Sequence, residues 1–360
     1  MSDAVRTITA VGTSRPAFVG DAAGAPTRPT LISGWSEFTK SYGDAVSDKG
    51  SYLAEAVYGF FANGGTSCYV VSAGGNAARV QAYRSVLTAL ESVADVNMVT
   101  VPDLWQAEED GAEIGKSVAG HCARVRNRLA ILHLREGLDA ADAEKPRSVF
   151  DIVAGADESD FTTVYYPWVG VPGVAGDPRT VPASGHVAGI WARTDAERGV
   201  FKAPANQTLR GVLELERRLT DDENGSLHQG GVNCLRQSPG RGILVWGAHT
   251  LSSSRDWKYV NVRRLASFLS DSIRSSIGWV VAEPNDERLR ASLREAVTPF
   301  LTDQWRQGAL MGRNPDEAFY VICDETNNTA ATADRVVIDI GIAPVRPAEF
   351  IHFTITHPTA

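Results

Sequence analysis

Apolar residues along this chain follow two rhythms. In the first half, Cys68-Tyr69-Val70-Val71, the run Val96 to Val101 and the run Leu129 to Leu134 are short and nearly unbroken. They predict buried strands, because a strand covered on both faces needs no polar alternation. Between them, Gly50 to Ala62 carries Leu53, Val57 and Phe60/Phe61 at helical spacing, and Asn63-Gly64-Gly65 ends it as a left-handed cap would. The stretch Ala77 to Val93 and the helix Glu113 to Arg126 continue the alternation, which is the pattern of an α/β domain. Upstream, Val5 to Gly12 predicts a short strand, broken by Thr13-Ser14-Arg15-Pro16 because proline lacks an N–H. Ala17 to Gly20 restarts a small apolar run, and Gly24 to Pro29 is a turn-rich connector.

Residues 139–160 are acidic and polar, with a short helix over Ser148 to Val153. Tyr166 to Gly185 contains Pro167, Pro172, Pro178 and Pro182 among many glycines, and predicts a long surface connection. Asn206 is read as the cap of a helix to Leu219, followed by strands over Val232 to Leu235 and Ile243 to Trp246. The second rhythm is amphipathic. Val262, Leu265, Leu269, Ile273 and Ile277 make one stripe, with Asn261 as cap and Gly278 as stop. Leu289, Leu293, Val297, Phe300/Leu301 and Trp305 make another over Asp286 to Gln307, capped by Asn285 and kinked by Pro299. Extended segments follow over Ala318 to Asp324, Arg335 to Ile342 and Glu349 to Thr356. Val336, Ile338, Ile340 and Ile342 share one face, and Ile351, Phe353 and Ile355 share another. Pro344 and Pro347 forbid a tight hairpin between these two strands, so the last one is expected to leave its own domain and pair with another subunit.

At 360 residues, 43% hydrophobic and 22% charged, the chain is globular and long enough for two or three compact units. No run approaches the ~18 apolar residues of a membrane helix, and Met-Ser-Asp-Ala opens without a basic and then greasy signal. The expectation is a protein made and kept in a cytoplasm, without membrane insertion. The net charge of −8 is uneven: residues 1–198 hold 17 basic against 24 acidic side chains, residues 199–360 hold 18 against 19. An acidic first half argues against a nucleic-acid surface there.

Candidate chemistry is sparse. Gly111 to Ser117 imitates a phosphate loop, but Asp110 stands where its first glycine belongs and the segment lies within a helical pattern. The histidines form no HExxH, and His352 and His357 face opposite ways on or after the last strand. Cys68, Cys122, Cys234 and Cys323 are too far apart for a CxxC site and are expected as buried thiols. Asp221-Asp222-Glu223-Asn224-Gly225 resembles half a calcium loop but reads as an ordinary turn. No GxSxG is present. No catalytic, cofactor or metal site is assigned.

Several ordered motifs carry a family resemblance. They are Phe201 to Asn206, Gly231-Val232-Asn233-Cys234-Leu235-Arg236, Pro239-Gly240-Arg241-Gly242, Trp246-Gly247-Ala248-His249-Thr250-Leu251 and Trp257 to Arg264. Glu283-Pro284-Asn285, Gly308 to Gly312 and Ala343 to Phe350 continue the series, and Ala17 to Gly20 and Tyr58 to Gly65 join it near the N-terminus. Together they resemble the tail sheath family of contractile phage tails and related injection systems, over nearly the whole chain and most densely from 199 to 350. Two positions depart from the family pattern: His249 stands in place of an arginine, and His228 in place of an asparagine. The length is similar to that of compact sheaths of injection particles and phage-like bacteriocins, whereas a type VI secretion sheath divides its wall between two chains.

The resemblance implies a mixed α/β (α+β) fold with four parts: an N-terminal arm over 1–16, an outer α/β domain over 17–198, an inner sheath core over 199–345 and a C-terminal arm over 346–360. It implies arms that complete a sheet in the next subunit, for which Ile8, Val11, Phe350, Ile351, Phe353 and Ile355 are the expected anchors. Arg288, Arg290, Arg294 and Arg306 are the expected tube-facing residues. The implied partners are further copies of the chain, an inner tube protein, and baseplate and terminator proteins, with no cofactor and no nucleotide for firing. The rival expectation is an α/β enzyme that assembles into rings or filaments.

Overall fold

The computed structural model describes residues 7–48, 50–74, 79–281, 283–329 and 335–348. Its strands, in chain order, are β1 (Pro16–Gly20), β2 (Thr30–Ile32), β3 (Cys68–Ser72), β4 (Met98–Thr100), β5 (Leu129–His133), β6 (Thr162–Tyr166), β7 (Val169–Val171), β8 (Arg179–Val181), β9 (Gln207–Thr208), β10 (Glu214–Leu215), β11 (Val232–Ser238), β12 (Gly242–Val245), β13 (Phe319–Ile322) and β14 (Asp339–Ile342). The main sheet has the order β2-β3-β1-β4-β5-β6-β11-β12-β9. Its centre, β3 to β11, is parallel throughout, and antiparallel strands close both sides. Strands β1, β5 and β6 are buried at every residue, which explains their unbroken apolar character.

Helices α1 (Trp35–Ser41), α2 (Gly43–Ser47) and α3 (Leu53–Ala62) lie between β2 and β3. Helix α4 (Arg79–Leu90) leads to β4, and α5 (Glu108–Val125) to β5. The short α6 (Ala140–Ala143), α7 (Pro146–Val149) and α8 (Asp157–Asp160) precede β6, while α9 (Ser184–Arg198) follows β8 and α10 (Asp221–Gln229) precedes β11. Helices α11 (Val260–Ser276), α12 (Glu287–Arg306) and α13 (Pro315–Ala318) complete the set. Helix α3 crosses α9 at very close range: a Cβ on Gly185 would lie 2.3 Å from the Ala56 carbonyl oxygen, so only glycine fits.

One core runs from Ala17 to Val260 and belongs to the main sheet and its helices. A second gathers Leu265, Leu269 and Ile273 of α11, Val297, Phe300 and Leu301 of α12, and Phe319 of β13. A small third cluster holds Leu289, Leu293 and Cys323. The sheet therefore continues across the boundary expected at 198/199, and the change of core falls within α11.

Several local expectations are corrected. Residues 7–12 form no strand; β1 begins at Pro16. Tyr166 to Gly185 is not a surface loop: it supplies β7 and β8 of a three-stranded sheet with β10, and Tyr166 and Trp168 are buried with side-chain bonds to the Leu138 and Leu134 carbonyls. Helix α9 went unread because its residues 184–194 are buried all round, which leaves no polar face to mark a period. Asn206 caps no helix. It sits at φ 61° with its N–H on the Val245 carbonyl (2.7 Å), and the chain to Leu219 carries β9 and β10. The run Asp221 to Gly225 is the start of α10, whose cap is Thr220 in a reciprocal pair with Glu223. In α12 the cap is Asp286, accepting from the Leu289 N–H (2.9 Å), and the helix passes through Pro299.

Candidate assembly surface

Helix α11 joins the two main cores. Leu265, Leu269 and Ile273 face the second core, while Arg263, Arg264 and Ser267, all buried, reach away from it. Arg264 grips Asp195 of α9 with two bonds, Nη1 to Oδ1 at 2.8 Å and Nη2 to Oδ2 at 2.5 Å. The same guanidinium donates to the Thr13 carbonyl (2.9 Å) and lies 4.7 Å from the Trp191 ring centre. Arg263 is sandwiched between Phe161 and Trp257, at 4.5 and 4.0 Å, and burial lowers its pKa to about 10. Asn261, expected as a cap, lies inside the helix, and its Nδ2 donates to the carbonyls of Phe201 (2.8 Å) and Val345 (3.0 Å).

Both expected arms take root on this helix. The Thr9 N–H donates to Ser276 Oγ (2.9 Å) and the Val11 N–H to Ser272 Oγ (3.1 Å), while Ile8 packs on the second core. The Ile8 side chain and the Val11 backbone thus lie against their own subunit in this structure. At the other end, Met311 N–H donates to the Ala343 carbonyl (2.7 Å) and Val345 N–H to the Ala309 carbonyl (3.2 Å). Phe350, Ile351, Phe353 and Ile355 lie outside the described residues.

Strands β13 and β14 form a separate antiparallel pair, with Phe319 opposite Ile342 and Ile322 opposite Asp339. Neither has a second strand beside it among the described residues, so each keeps an open edge. Phe319, Val321, Ile340 and Ile342 pack toward the second core, whereas Tyr320 and Ile322 remain 57% and 37% exposed. The Tyr320 ring lies over Gly341, where a Cβ would collide with it.

The four expected tube-facing arginines do not form one patch. Arg290 and Arg294 share Glu287 (3.3 and 2.7 Å), and Arg294 also donates to the Cys323 carbonyl. Arg306 stands about 18 Å further along the helix, on Asp303 (3.3 Å). Arg288 is exposed and, by the 100° step of a helix, points about 160° away from Arg290. Of the four, Arg288 and Arg306 are exposed, whereas Arg290 and Arg294 are half-buried.

A doubly wound sheet binds ligands where its strand order reverses, here between the ends of β1 and β4. Two carboxylates sit there and are already engaged. Asp103 accepts from the N–H groups of Tyr52 (2.6 Å) and Asp21 (2.7 Å) and from Ser51 Oγ (2.9 Å), and its burial pushes its pKa up to about 7. Asp21 accepts from Arg79 Nε (3.0 Å) and the Tyr83 hydroxyl (3.1 Å). The chain's own side chains thus fill the crevice. The phosphate-loop imitation lies in α5, where Gly111 and Gly115 abut Trp105 and Phe150. All four cysteines are buried, and that burial raises their thiols. The described residues hold no metal-ligating cluster, and no helix among them is long and apolar enough to cross a membrane. The two residues that depart from the family pattern meet in space: the ring centres of His228 and His249 lie 4.0 Å apart, tilted by 35°.

Comparison with known proteins agrees with this architecture. Residues 76–251 match the central domain of the phage tail sheath protein, and residues 252–357 its C-terminal domain. The division at 251/252 lies close to the change of core at α11. The tail sheath protein of Salmonella phage ViI is 32% identical over 173 residues, 46% of this chain and 26% of that protein. A putative prophage major tail sheath protein of Pseudomonas aeruginosa is 28% identical over 185 residues, 49% of this chain and 46% of that protein. The chain therefore spans about a quarter to a half of the length of these curated relatives. Among solved structures, the contracted helical sheath of the anti-feeding prophage superposes with a TM-score of 0.84 at 28% identity, covering 99% of this chain and 97% of that one. The contracted PVC sheath of an extracellular contractile injection system gives 0.82 at 28% identity, covering 97% and 93%. Two matching family domains and full-length likeness to two sheath subunits place this chain in the phage tail sheath family.

Proposed function

We propose that the chain is a structural subunit that polymerises helically around an inner tube and contracts to drive that tube through a target envelope. The observation that carries this reading is the full-length similarity to two sheaths captured contracted. The β13–β14 pair supplies the physical means. Its open edges suit strands from neighbouring copies, with residues 346–360 as the C-terminal donor, Phe350, Ile351, Phe353 and Ile355 as its anchors, and the part of 1–16 that precedes the α11 contacts of Ile8, Thr9 and Val11 as the N-terminal donor. Five or six added ladder bonds at a net ~1 kcal/mol each give a link of several kcal/mol. Such a mesh survives rotations that exchange weaker surface contacts. Contraction is then driven only by the difference in contact energy between the extended and contracted lattices.

On this reading the partners are further copies, a tube protein, and baseplate and terminator proteins, assembled in the cytoplasm of the producing cell into a phage tail or tail-like particle. No catalysis, nucleotide or cofactor takes part. The acidic side chains of residues 1–198 form the outer wall and keep finished particles apart. Of the candidate tube contacts, Arg288 and Arg306 have the exposure for it, while Arg290 and Arg294 brace α12.

Negative-stain electron microscopy tests the assembly directly. The full chain, alone or with its tube protein, is expected to form hollow tubes with a helical surface. Deleting residues 346–360, or replacing both Tyr320 and Ile322 with lysine, should leave folded monomers. Tubes from the deletion variant would refute strand exchange through the C-terminal arm. Dispersed monomers from the full chain with tube protein present would refute the sheath reading. Arg288→Glu with Arg306→Glu is expected to abolish tube co-sedimentation, and unchanged co-sedimentation removes these residues from the contact.

A further inference from the structure

Five arginines are buried among the described residues: Arg79, Arg128, Arg193, Arg263 and Arg264. Four of them reach an acceptor. Arg79 bonds Asp21 (3.0 Å), Arg128 the Leu90 and Val93 carbonyls (2.9 and 2.8 Å), Arg193 the Thr208 carbonyl (2.8 Å) and Arg264 Asp195 (2.8 Å). Arg263 is the exception. It is 6% exposed, its guanidinium lies between the Trp257 and Phe161 rings, and it bonds no acceptor among the described residues. Its Nε is sealed, whereas the two Nη groups keep some access to solvent. The fork therefore opens outward from between two rings.

Three features make this point electropositive, and nothing in the described chain neutralises it by contact. Arg263 occupies the first turns of α11, and its contact with Trp257, which precedes the helix, shows that its side chain runs back toward the helix N-terminus. That end carries the positive pole of the helix, and no side chain caps it at Tyr259. Arg126 lies over the same Phe161 ring at 5.4 Å, and its charge adds to burial in lowering the Arg263 pKa. Of the carboxylates on α8, Asp157 is held by Arg126 (2.8 Å), and Asp160 forms no ion pair with Arg263 among the described residues. A buried charge without its counter-charge is costly. A guanidinium fork matches a planar carboxylate through two parallel bonds. The flanking rings, 4.0 and 4.5 Å from the guanidinium carbon, suit a flat group in the plane of the fork better than a tetrahedral one.

We propose that Arg263 and the N-terminal end of α11 form a binding site for a carboxylate. Two sources present that chemistry: an aspartate or glutamate of a second copy of this chain, and a free small carboxylate. Arg346, at the root of the C-terminal arm, bonds Asp256 beside Trp257 (3.2 Å), so on the sheath reading the site adjoins the seam between joined copies.

The test uses the full chain with 15N-labelled arginine and sodium acetate as the probe, at constant ionic strength against chloride. The Nε–H resonance of Arg263 is identified by its loss in Arg263→Lys, or by its through-space contact with Trp257 where that variant does not fold. It is expected to shift saturably with half-saturation at about 10–100 mM, the range for one charge-assisted contact. The Arg264 resonance, with Asp195 already in place, should stay still. No saturable shift at Arg263, an equal shift at Arg264, or tighter binding of inorganic phosphate would overturn the proposal. A second arm identifies the source: tubes are sedimented in saturating acetate and in chloride. Suppression by acetate assigns the site to a side chain of a second copy, and equal tube yield assigns it to a free carboxylate. Only this arm rests on the sheath reading. The resonance shift is measured on the free subunit, so the two readings fail separately.

Discussion

Truncating Arg264 to alanine is expected to cost about 3–5 kcal/mol of folding stability, the range for removing one partner of a buried ion pair. The figure follows from the site. Both side chains are nearly sealed from water, at 3% and 4% exposure. Without the guanidinium, the Thr13 hydroxyl (2.7 Å) is the one side-chain donor left to Asp195 among the described residues, and its charge stays buried. The converse variant, Asp195→Ala, leaves a buried guanidinium with the Thr13 carbonyl and the Trp191 face, and should cost a similar amount. Replacing both, as Arg264→Met with Asp195→Leu, removes the two charges together and is expected to recover most of the loss. Urea unfolding followed by tryptophan fluorescence reads all three, since Trp191 sits against the pair. A buried pair is screened little, so the costs should agree between about 0.05 M and about 0.5 M salt. Losses below ~1 kcal/mol in both single variants, the size seen for exposed pairs, would refute the reading of this contact as the clamp between the two cores.

Acid should weaken the fold through three buried neutral histidines. His133 has its pKa lowered to about 3, and His121 and His186 to about 4, by burial. Their contribution is full above the unfolded value of 6.5 and is lost as pH falls toward the folded values, whereas Asp103, raised to about 7, acts in the opposite sense. Since neither ring nitrogen of His133 has a partner among the described residues, His133→Phe should spare about 2 kcal/mol of the loss between pH 7 and pH 5, and an unchanged pH slope in urea midpoints would contradict this. Gly185→Ala forces a Cβ within 2.3 Å of the Ala56 carbonyl oxygen and is expected to cost ~1–3 kcal/mol by overpacking; a rise in Tm would show that the α3–α9 crossing can relax. Asn261→Ala removes both bonds to the Phe201 and Val345 carbonyls and should speed amide exchange at Met311 and Val345, with unchanged protection there as the contrary result.

The parts legible in the sequence are those whose environment leaves a one-dimensional trace. Strands β3 and β5 are buried on both faces and so read as unbroken apolar runs, and α11 and α12 each turn one stripe to a core. Helix α9 has the opposite property: with Gly185, Gly189, Ala188 and Ala192 packed all round, it shows neither stripe nor charge period. The prolines of 167–182 suggested a loose connection because they punctuate strands of only three residues, too short for alternation to register. Asn206 looked like a cap because asparagine favours both caps and the left-handed conformation it adopts. Among the candidate site residues, the charge of the α12 arginines was evident but their partners were not: Glu287 lies seven residues from Arg294, and Cys323 is contributed by another element.

The division of labour along α11 bears on how a sheath subunit could carry load. Apolar contacts such as Leu265, Leu269 and Ile273 against α12 tolerate sliding, because dispersion and burial depend weakly on small lateral shifts. Hydrogen bonds do not, since they weaken steeply with distance and angle. On the side of α11 away from the second core, Arg264 and Ser267 make directional bonds, to Asp195 and to the Arg126 carbonyl, while Asn261, one turn before Leu265, bonds the Phe201 and Val345 carbonyls. On the proposed strand exchange, a pull arriving along residues 343–348 meets the Arg346–Asp256 contact (3.2 Å) and then Asn261, through the Val345 carbonyl. One turn further on it meets the Arg264 clamp, which also holds the N-terminal segment at Thr13. Both arm roots converge on a single helix that is locked by directional bonds to the large α/β body. With that arrangement, force on either arm turns the subunit as a whole rather than shearing one core from the other, which is what a lattice that contracts by rotating intact subunits needs.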